Sequence, residues 1–187
     1  MSNPGRLDPI RRKREVRAYA NRFAEVFDDE VEFPDGTPGR YLRIVNRGDG
    51  PGVVVLPVHG INVGLVQTYR YPVESWQWGL PRGFSHNHDP LVTARTELHE
   101  EIGVRDAAFE LLGFMTPDSG MLATRVAVIL ARVNEPTGRT VDVQEVAAVR
   151  WLPVRELWHW VAQGRIEDGM SLAALTLAHA LDHLPNP

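Results

Sequence analysis

The run Gly52–Val58, GVVVLPV, constrains the chain more than any other stretch. It is apolar at successive positions rather than alternate ones, and β-branched residues dominate it. A strand of that kind has no polar face to give to water, so it must be covered on both sides. VGLVQTYRY (Val63–Tyr71) follows after HGIN and predicts the second arm of a hairpin. TRVAVILARV (Thr124–Val133) and VAAVRWLP (Val146–Pro153) read as further strands, and LLGFMTPDSG as a short strand and loop. WQWGLPRGF carries glycine and proline at positions that break any regular element.

A sheet buried on both faces needs helices on both faces, and the remaining segments supply them. Asp89 is a good N-cap, Pro90 suits the first helical position, and Ala94, Leu98 and Ile102 recur every four residues before a stop at Gly103. A second helix opens at Pro153 and runs through Gln163 to Gly164, and a third runs from Ser171 to about Leu184. The expected class is α/β, a mixed sheet packed between helices. The 187 residues fit one domain, and 43% hydrophobic residues suffice for its core.

Upstream, AEVFDDEVEF and GRYLRIVN flank the turn sequence PDGTP and predict an N-terminal strand pair. Before that pair the chain is basic: Arg6, Arg11, Arg12, Lys13, Arg14, Arg17 and Arg22 face only Asp8 and Glu15. A solvated arm or helix face is the favoured reading; an anion-binding or dimer-forming segment is the other. The net charge of −4 argues against a general nucleic-acid or membrane binder. With no cysteine there is no disulfide framework and no thiol chemistry, which fits a cytoplasmic protein. No signal peptide and no membrane-spanning stretch is expected.

The chemistry concentrates in ARTELHEEIGV, Ala94–Val104. At about 100° per residue, Glu97 and Glu101 fall on nearly one line of the helix, with Glu100 beside them. Like charges at that spacing repel by a few tenths of a kcal/mol each, and the helix dipole disfavours them near its C-terminus. A divalent cation reverses both penalties; Mg²⁺ takes oxygen ligands of this kind together with substrate phosphates. A solvated glutamate face is the bland alternative.

Context decides between them. Gly83–Val104 resembles the Nudix box, G-x5-E-x7-R-E-U-x-E-E-x-G-U with U aliphatic, and Glu97, Leu98, Glu100, Glu101, Gly103 and Val104 match it. VVVLPV, GLVQTYRYPV, LPRG and GRIEDGMSLAALTLA resemble the ADP-ribose pyrophosphatase branch, and YANRFAEVFDDEVEFPDG resembles that branch's N-terminal strands. The resemblance implies a Nudix-type α/β/α sandwich with a mixed β-sheet and an N-terminal strand pair. It implies residues 1–47 as a dimer-forming arm and strands, and 48–187 as the hydrolase domain. It implies Mg²⁺- or Mn²⁺-dependent hydrolysis of a nucleoside diphosphate derivative such as ADP-ribose or a nucleotide sugar. Glu97, Glu100 and Glu101 would hold the metal, with a backbone carbonyl near Arg82 and Gly83 as a further ligand.

The match has gaps. Thr96 stands at the motif arginine and His88 at the earlier glutamate, and the Gly83-to-His88 interval is one residue short. Arg95 lies about 100° round the helix from Thr96 and replaces the lost guanidinium only by reaching across. Ala123 and Thr124 stand where the branch often has a loop glutamate, with Asp118 as a possible stand-in, and Gly79 stands where it often has another. His86, His88 and His99 offer an H-x-H spacing beside the glutamates, but nothing else completes a tetrahedral metal set. Arg70 is a candidate phosphate ligand, with Gln67 and Tyr69 at the same strand end; Arg82 and Arg125 are also candidates for an anionic substrate. Trp76 and Trp78 stack a base, fill an interface or pack the sheet, packing being favoured, and Trp158 and Trp160 pack the penultimate helix. Two readings stay open at this level: a Nudix hydrolase, and a low-turnover module that binds a nucleotide or sugar phosphate.

Overall fold

The computed structural model describes residues 8–85 and 87–185. Arg6 and His86, named above, lie outside them. The described chain divides into two compact units, one made of the residues up to Arg47 with Asp118–Thr124, the other of Gly48–Pro117 with the residues from Arg125 on.

The first unit is a four-stranded antiparallel sheet built on β3 (Ala24–Glu32). β4 (Pro38–Asn46) pairs along one edge of β3, while β1 (Arg11–Arg14) and β2 (Arg17–Ala20) share the other. The basic segment is therefore neither a solvated arm nor a helix face. Its cations lie across from the acids of β3: Lys13 meets Glu32 at 2.8 Å, Arg17 meets Glu25 at 3.0 Å, and Arg14 meets Glu30. Opposite charges on facing strands stabilise the pairing, and a count of local charge misses this because the partners are 8 to 19 residues away along the chain.

Asp29 is the buried member of this network, 3% exposed. Its carboxylate accepts from Arg43 Nε at 2.9 Å and from the Val16 N–H at 3.1 Å, with Arg12 at 3.9 Å. Burial alone would raise its pKa, but the hydrogen bonds from Arg43 and Val16 and the charges of Arg43 and Arg12 outweigh it and hold the group below its ordinary value. A depressed carboxylate stabilises the fold above its unfolded pKa, and that contribution is lost as pH falls through the folded value. Asp29→Ala removes one partner of a buried pair and is expected to cost roughly 3 kcal/mol, read by urea unfolding at neutral pH.

The second unit holds the mixed sheet, in the order β11 (Val146–Pro153), β6 (Asn62–Arg70), β5 (Gly52–His59), β10 (Val126–Val133), β9 (Ala107–Met115). β5 and β10 run parallel, and every other pair is antiparallel. Even and odd residues of β5 serve opposite faces, as a run apolar at every position requires. Val54 and Leu56 join a core with Leu65, Leu157, Trp160 and Leu175, under α2 (Val154–Ala162) and α3 (Gly169–Ala180). Val53 and Val55 join a core with Leu98 and Ile102 of α1 (Pro90–Ile102).

β5 and β6 pair only at Val58 with Val63 and at His59 with Asn62, then part. Into the fork come β7 (Ser75–Gly79), which pairs with β6, and β8 (Arg82–Gly83), which pairs with β5. WQWGLPRGF is thus two short strands rather than a break, because its partners are the edges that the fork exposes. Pro57 falls between the two pairings of β5, where a missing N–H costs no ladder bond on that edge.

The other sequence boundaries hold in part. Asp89 caps α1, accepting from the Leu91 N–H, and Gly103 ends it at φ +78°. β9 is nine residues long, more than the expected short strand. α3 starts at Gly169 rather than Ser171, because Asp168 is the capping residue and accepts from the Ser171 N–H, and it ends at Ala180. No helix of the described residues is long and apolar enough to cross a membrane.

Candidate active site

Helical periodicity puts Glu97 and Glu101 on one line, and packing decides what that line meets. The apolar stripe through Ala94, Leu98 and Ile102 seats α1 on the sheet, which turns both carboxylates towards β8. Both are buried, at 7% and 6% exposed. Glu97 lies against Gly83 so closely that a Cβ there would sit 1.9 Å from its Oε1. Only glycine leaves that space. The Gly83 carbonyl oxygen lies beside Gly52 of β5.

Glu101 is the strained member of the pair. Burial pushes its pKa up to about 8, and the neighbouring charge of Glu97 adds to the rise, as does Glu145. Arg70 and the peptide N–H of Arg82 act in the other direction. Its Oε2 is buried and has no hydrogen-bond partner. Two buried carboxylates, one of them with an orphaned oxygen, offer hard oxygen donors of the kind that suit Mg²⁺ or Mn²⁺. Among the described residues, no group of three His, Cys, Asp or Glu side chains converges as a ready-made metal site. Glu100 is exposed on the rim, and its peptide carbonyl accepts from the N–H groups of Val141 and Asp142 and from the Thr140 hydroxyl.

The cations around the pair are unequal. Arg82 is bound to Asp168 at 2.8 Å, and both side chains are mostly buried. Arg70, at the end of β6, has no carboxylate within 4 Å among the described residues. Burial lowers its pKa first and the Arg82 charge second, against Asp168, Glu101 and Glu145. A half-buried guanidinium without an ion pair is a ready anion ligand. Arg125 stacks over Phe114, 4.6 Å from the ring centre, and is not drawn into this group.

The substituted positions are also placed. Thr96 returns its hydroxyl to the Val92 carbonyl of its own helix at 3.3 Å, and Arg95 lies over Phe109 at 4.6 Å, so Arg95 does not reach across. His88 is exposed in the loop before α1, and His99 faces Arg105 at 3.3 Å, so these two do not form a metal set. Asp118 accepts from the Gly120 N–H at 2.8 Å, closing a turn in the other unit. Trp78 packs edge-on against Trp160, as the packing reading expects. Trp76 does not: it is 56% exposed and meets Tyr69 across the strand pair.

Sequence reading missed two residues here. Glu145 sits in DVQEV, a loop with no motif, and its charge reaches both Glu101 and Arg70. Asp168 has the signal of a helix cap three residues before Ser171, but nothing local tells that it also holds Arg82.

The class of protein is set by comparison with known folds and families. A crystal structure of an ADP compounds hydrolase superposes with a TM-score of 0.77, covering 94% of this chain and 95% of that one at 18% identity, a likeness of fold. Residues 47–174 match the family model of the NUDIX domain, so the chain belongs to the NUDIX family and is a Nudix hydrolase. Among curated proteins it is similar to the ADP-ribose pyrophosphatase of Mycobacterium tuberculosis (strain ATCC 25618 / H37Rv), at 28% identity over 157 residues, 82% of this chain and 75% of the relative.

Proposed function

We propose that this protein hydrolyses the diphosphate bond of a nucleoside diphosphate derivative, with ADP-ribose the first candidate and nucleotide sugars the second. The observation that carries the reading is the pair of buried carboxylates, Glu97 and Glu101, with an orphaned oxygen and an unpaired Arg70 beside them. A substrate of this class brings the negative charge that Arg70 lacks. The similarity to an ADP-ribose pyrophosphatase supports the choice of substrate.

Glu97 and Glu101 would hold Mg²⁺ or Mn²⁺, with Glu100 from the rim and the Gly83 carbonyl as further ligands. Such an ion neutralises the diphosphate and makes its phosphorus easier to attack. Arg70 orients a phosphate oxygen, and Arg82 and Arg125 remain weaker candidates for the same task, the first being committed to Asp168. Glu145 is exposed and close enough to act on both Glu101 and Arg70, which suits it to take the proton of the attacking water. Glu145→Gln is expected to lower kcat about 100- to 10,000-fold with little change in KM, measured by steady-state kinetics.

Residues 1–47 act in this reading as a dimer-forming segment, and the protein works as a cytoplasmic homodimer on a small molecule, without nucleic-acid or membrane partners. Light scattering at micromolar concentration is expected to give twice the monomer mass of 21.0 kDa. The deciding experiment for the activity is product release from ADP-ribose, other nucleoside diphosphate derivatives and nucleotide sugars, with Mg²⁺, with Mn²⁺ and with chelator. Cleavage that survives chelation removes the metal role. Binding of the panel without cleavage favours the low-turnover module instead.

A further inference from the structure

Arg82 has two separate attachments, and they point in different directions. Its peptide N–H acts on the Glu101 carboxylate. Its guanidinium reaches Asp168 Oδ1 at 2.8 Å, on the opposite side of β8 from the space that Glu97 fills at Gly83. Asp168 is itself held: its other oxygen accepts from the Ser171 N–H at 2.9 Å and from the Ser171 hydroxyl at 2.6 Å. That hydroxyl in turn accepts from the Leu80 N–H at 2.8 Å. Between Leu80 and Arg82, the Pro81 carbonyl accepts from the Val55 N–H at 2.9 Å. The first turn of α3 thus grips Leu80 and Arg82, the segment that leads into the glycine against Glu97. Gly79 makes the approach possible, since a Cβ there would lie 2.8 Å from Ser171 Oγ.

We propose that Asp168 is a positioning residue for the carboxylate site, acting through Arg82. The inference rests on the use of Glu97 and Glu101 proposed above. Capping α3 needs only an oxygen acceptor at residue 168, and asparagine supplies one. Holding the buried guanidinium of Arg82 needs the charge. The two tasks of Asp168 therefore separate in one substitution. Asp168→Asn keeps the cap and releases Arg82, whereas Asp168→Ala loses both.

The test compares wild type, Asp168→Asn, Arg82→Gln, the double variant and Glu101→Gln. Asp168→Asn is expected to melt below wild type, because the buried Arg82 loses its counter-charge, but above Asp168→Ala, which loses the cap as well. In the metal-free protein, amide hydrogen exchange at Leu80 and Arg82 rises about tenfold or more, while exchange in β9 and β10, which do not touch that segment, does not change. With ADP-ribose and Mg²⁺, kcat falls about 10- to 100-fold, as for other supports of metal ligands, and KM is unchanged or lower because a freed guanidinium leaves the cleft more positive. Arg82→Gln has the same effect on kcat and on exchange, and the double variant is no worse than either single one, because both cut the same link. Wild-type kcat and wild-type exchange at Arg82 in Asp168→Asn overturn the proposal. So does a fall in kcat that merely follows melting temperature and global exchange, since that marks a structural cap. Undiminished turnover in Glu101→Gln sinks the reading of the carboxylate site, and this inference with it; loss in Glu101→Gln with none in Asp168→Asn sinks this inference alone.

Discussion

Changing both Glu97 and Glu101 to glutamine is expected to abolish turnover and, at the same time, to raise the melting temperature of the metal-free protein. The two results have one cause. Glu101 is buried beside the charge of Glu97, with Oε2 unpartnered and a pKa pushed up to about 8. A carboxyl group whose folded pKa lies above its unfolded value binds its proton more tightly in the folded state. Its contribution to stability is present below the unfolded pKa and is lost as pH rises through about 8. The metal-free wild type should therefore melt lower at pH 9 than at pH 6, and the double variant should lose most of that slope. Removing the buried charge of Glu101 and its repulsion by Glu97 is expected to gain roughly 1–3 kcal/mol at pH 8, at about 2–4 °C per kcal/mol for a chain of this size. The same change removes the donor set for the ion, worth several kcal/mol in the transition state, so turnover drops about 1000-fold or more. Mg²⁺ should raise the melting temperature of the wild type and leave that of the variant alone. Calorimetry with chelator and with Mg²⁺, beside a turnover assay, checks all of this. A double variant that still cleaves would remove both glutamates from the chemistry.

Gly83→Ala is the second large effect. The new methyl would lie 1.9 Å from Glu97 Oε1 and 2.0 Å from its Cδ, so one of the two must move. The carboxylate is the end of a side chain and yields more easily than the paired backbone of β8. The fold should survive at a cost of about 1–3 kcal/mol. The catalytic cost is greater, since a displacement of about 1 Å at a ligand is worth about 100-fold in rate. Gly138→Ala, where nothing lies within 4 Å of the new Cβ, is the control and should match wild type in both respects. Normal turnover in Gly83→Ala would mean that the position of Glu97 does not matter.

How legible these features were in the sequence depends on how local they are. α1 was legible to the residue at its start, because Asp89 and Pro90 act within one turn, and the alignment of Glu97 with Glu101 follows from 3.6 residues per turn. The double-faced burial of β5 was legible because a run apolar at every position allows nothing else. Periodicity could not show that Glu97 and Glu101 turn inward while Glu100 stays at the rim, since that depends on where β8 lies. The strands β7 and β8 were not legible, because glycine and proline dominate their local signal and their partners are set by the parting of β5 and β6. Arg82 and Asp168 are 86 positions apart, so their pairing is tertiary information. The strands β1 and β2 were missed for a related reason: an arginine-rich stretch looks solvated until the acids of β3 are set opposite it.

The parting of β5 and β6 has a consequence for how such a protein can diversify. The main pairings of the mixed sheet, β11 with β6 and β5 with β10 with β9, do not involve residues 75–83. Those nine residues are inserted between two strands that are already secured on their far sides. They also contribute Arg82, Gly83 and the exposed Trp76. Within the segment, Gly79, Leu80, Arg82 and Gly83 are tied to Ser171, the core, Asp168 and Glu97, so Ser75–Trp78 are the residues free to vary without disturbing the carboxylate site. Transplanting the residues that correspond to Ser75–Trp78 from a relative with another substrate should move selectivity further, per unit of stability lost, than the same number of changes scattered over α1.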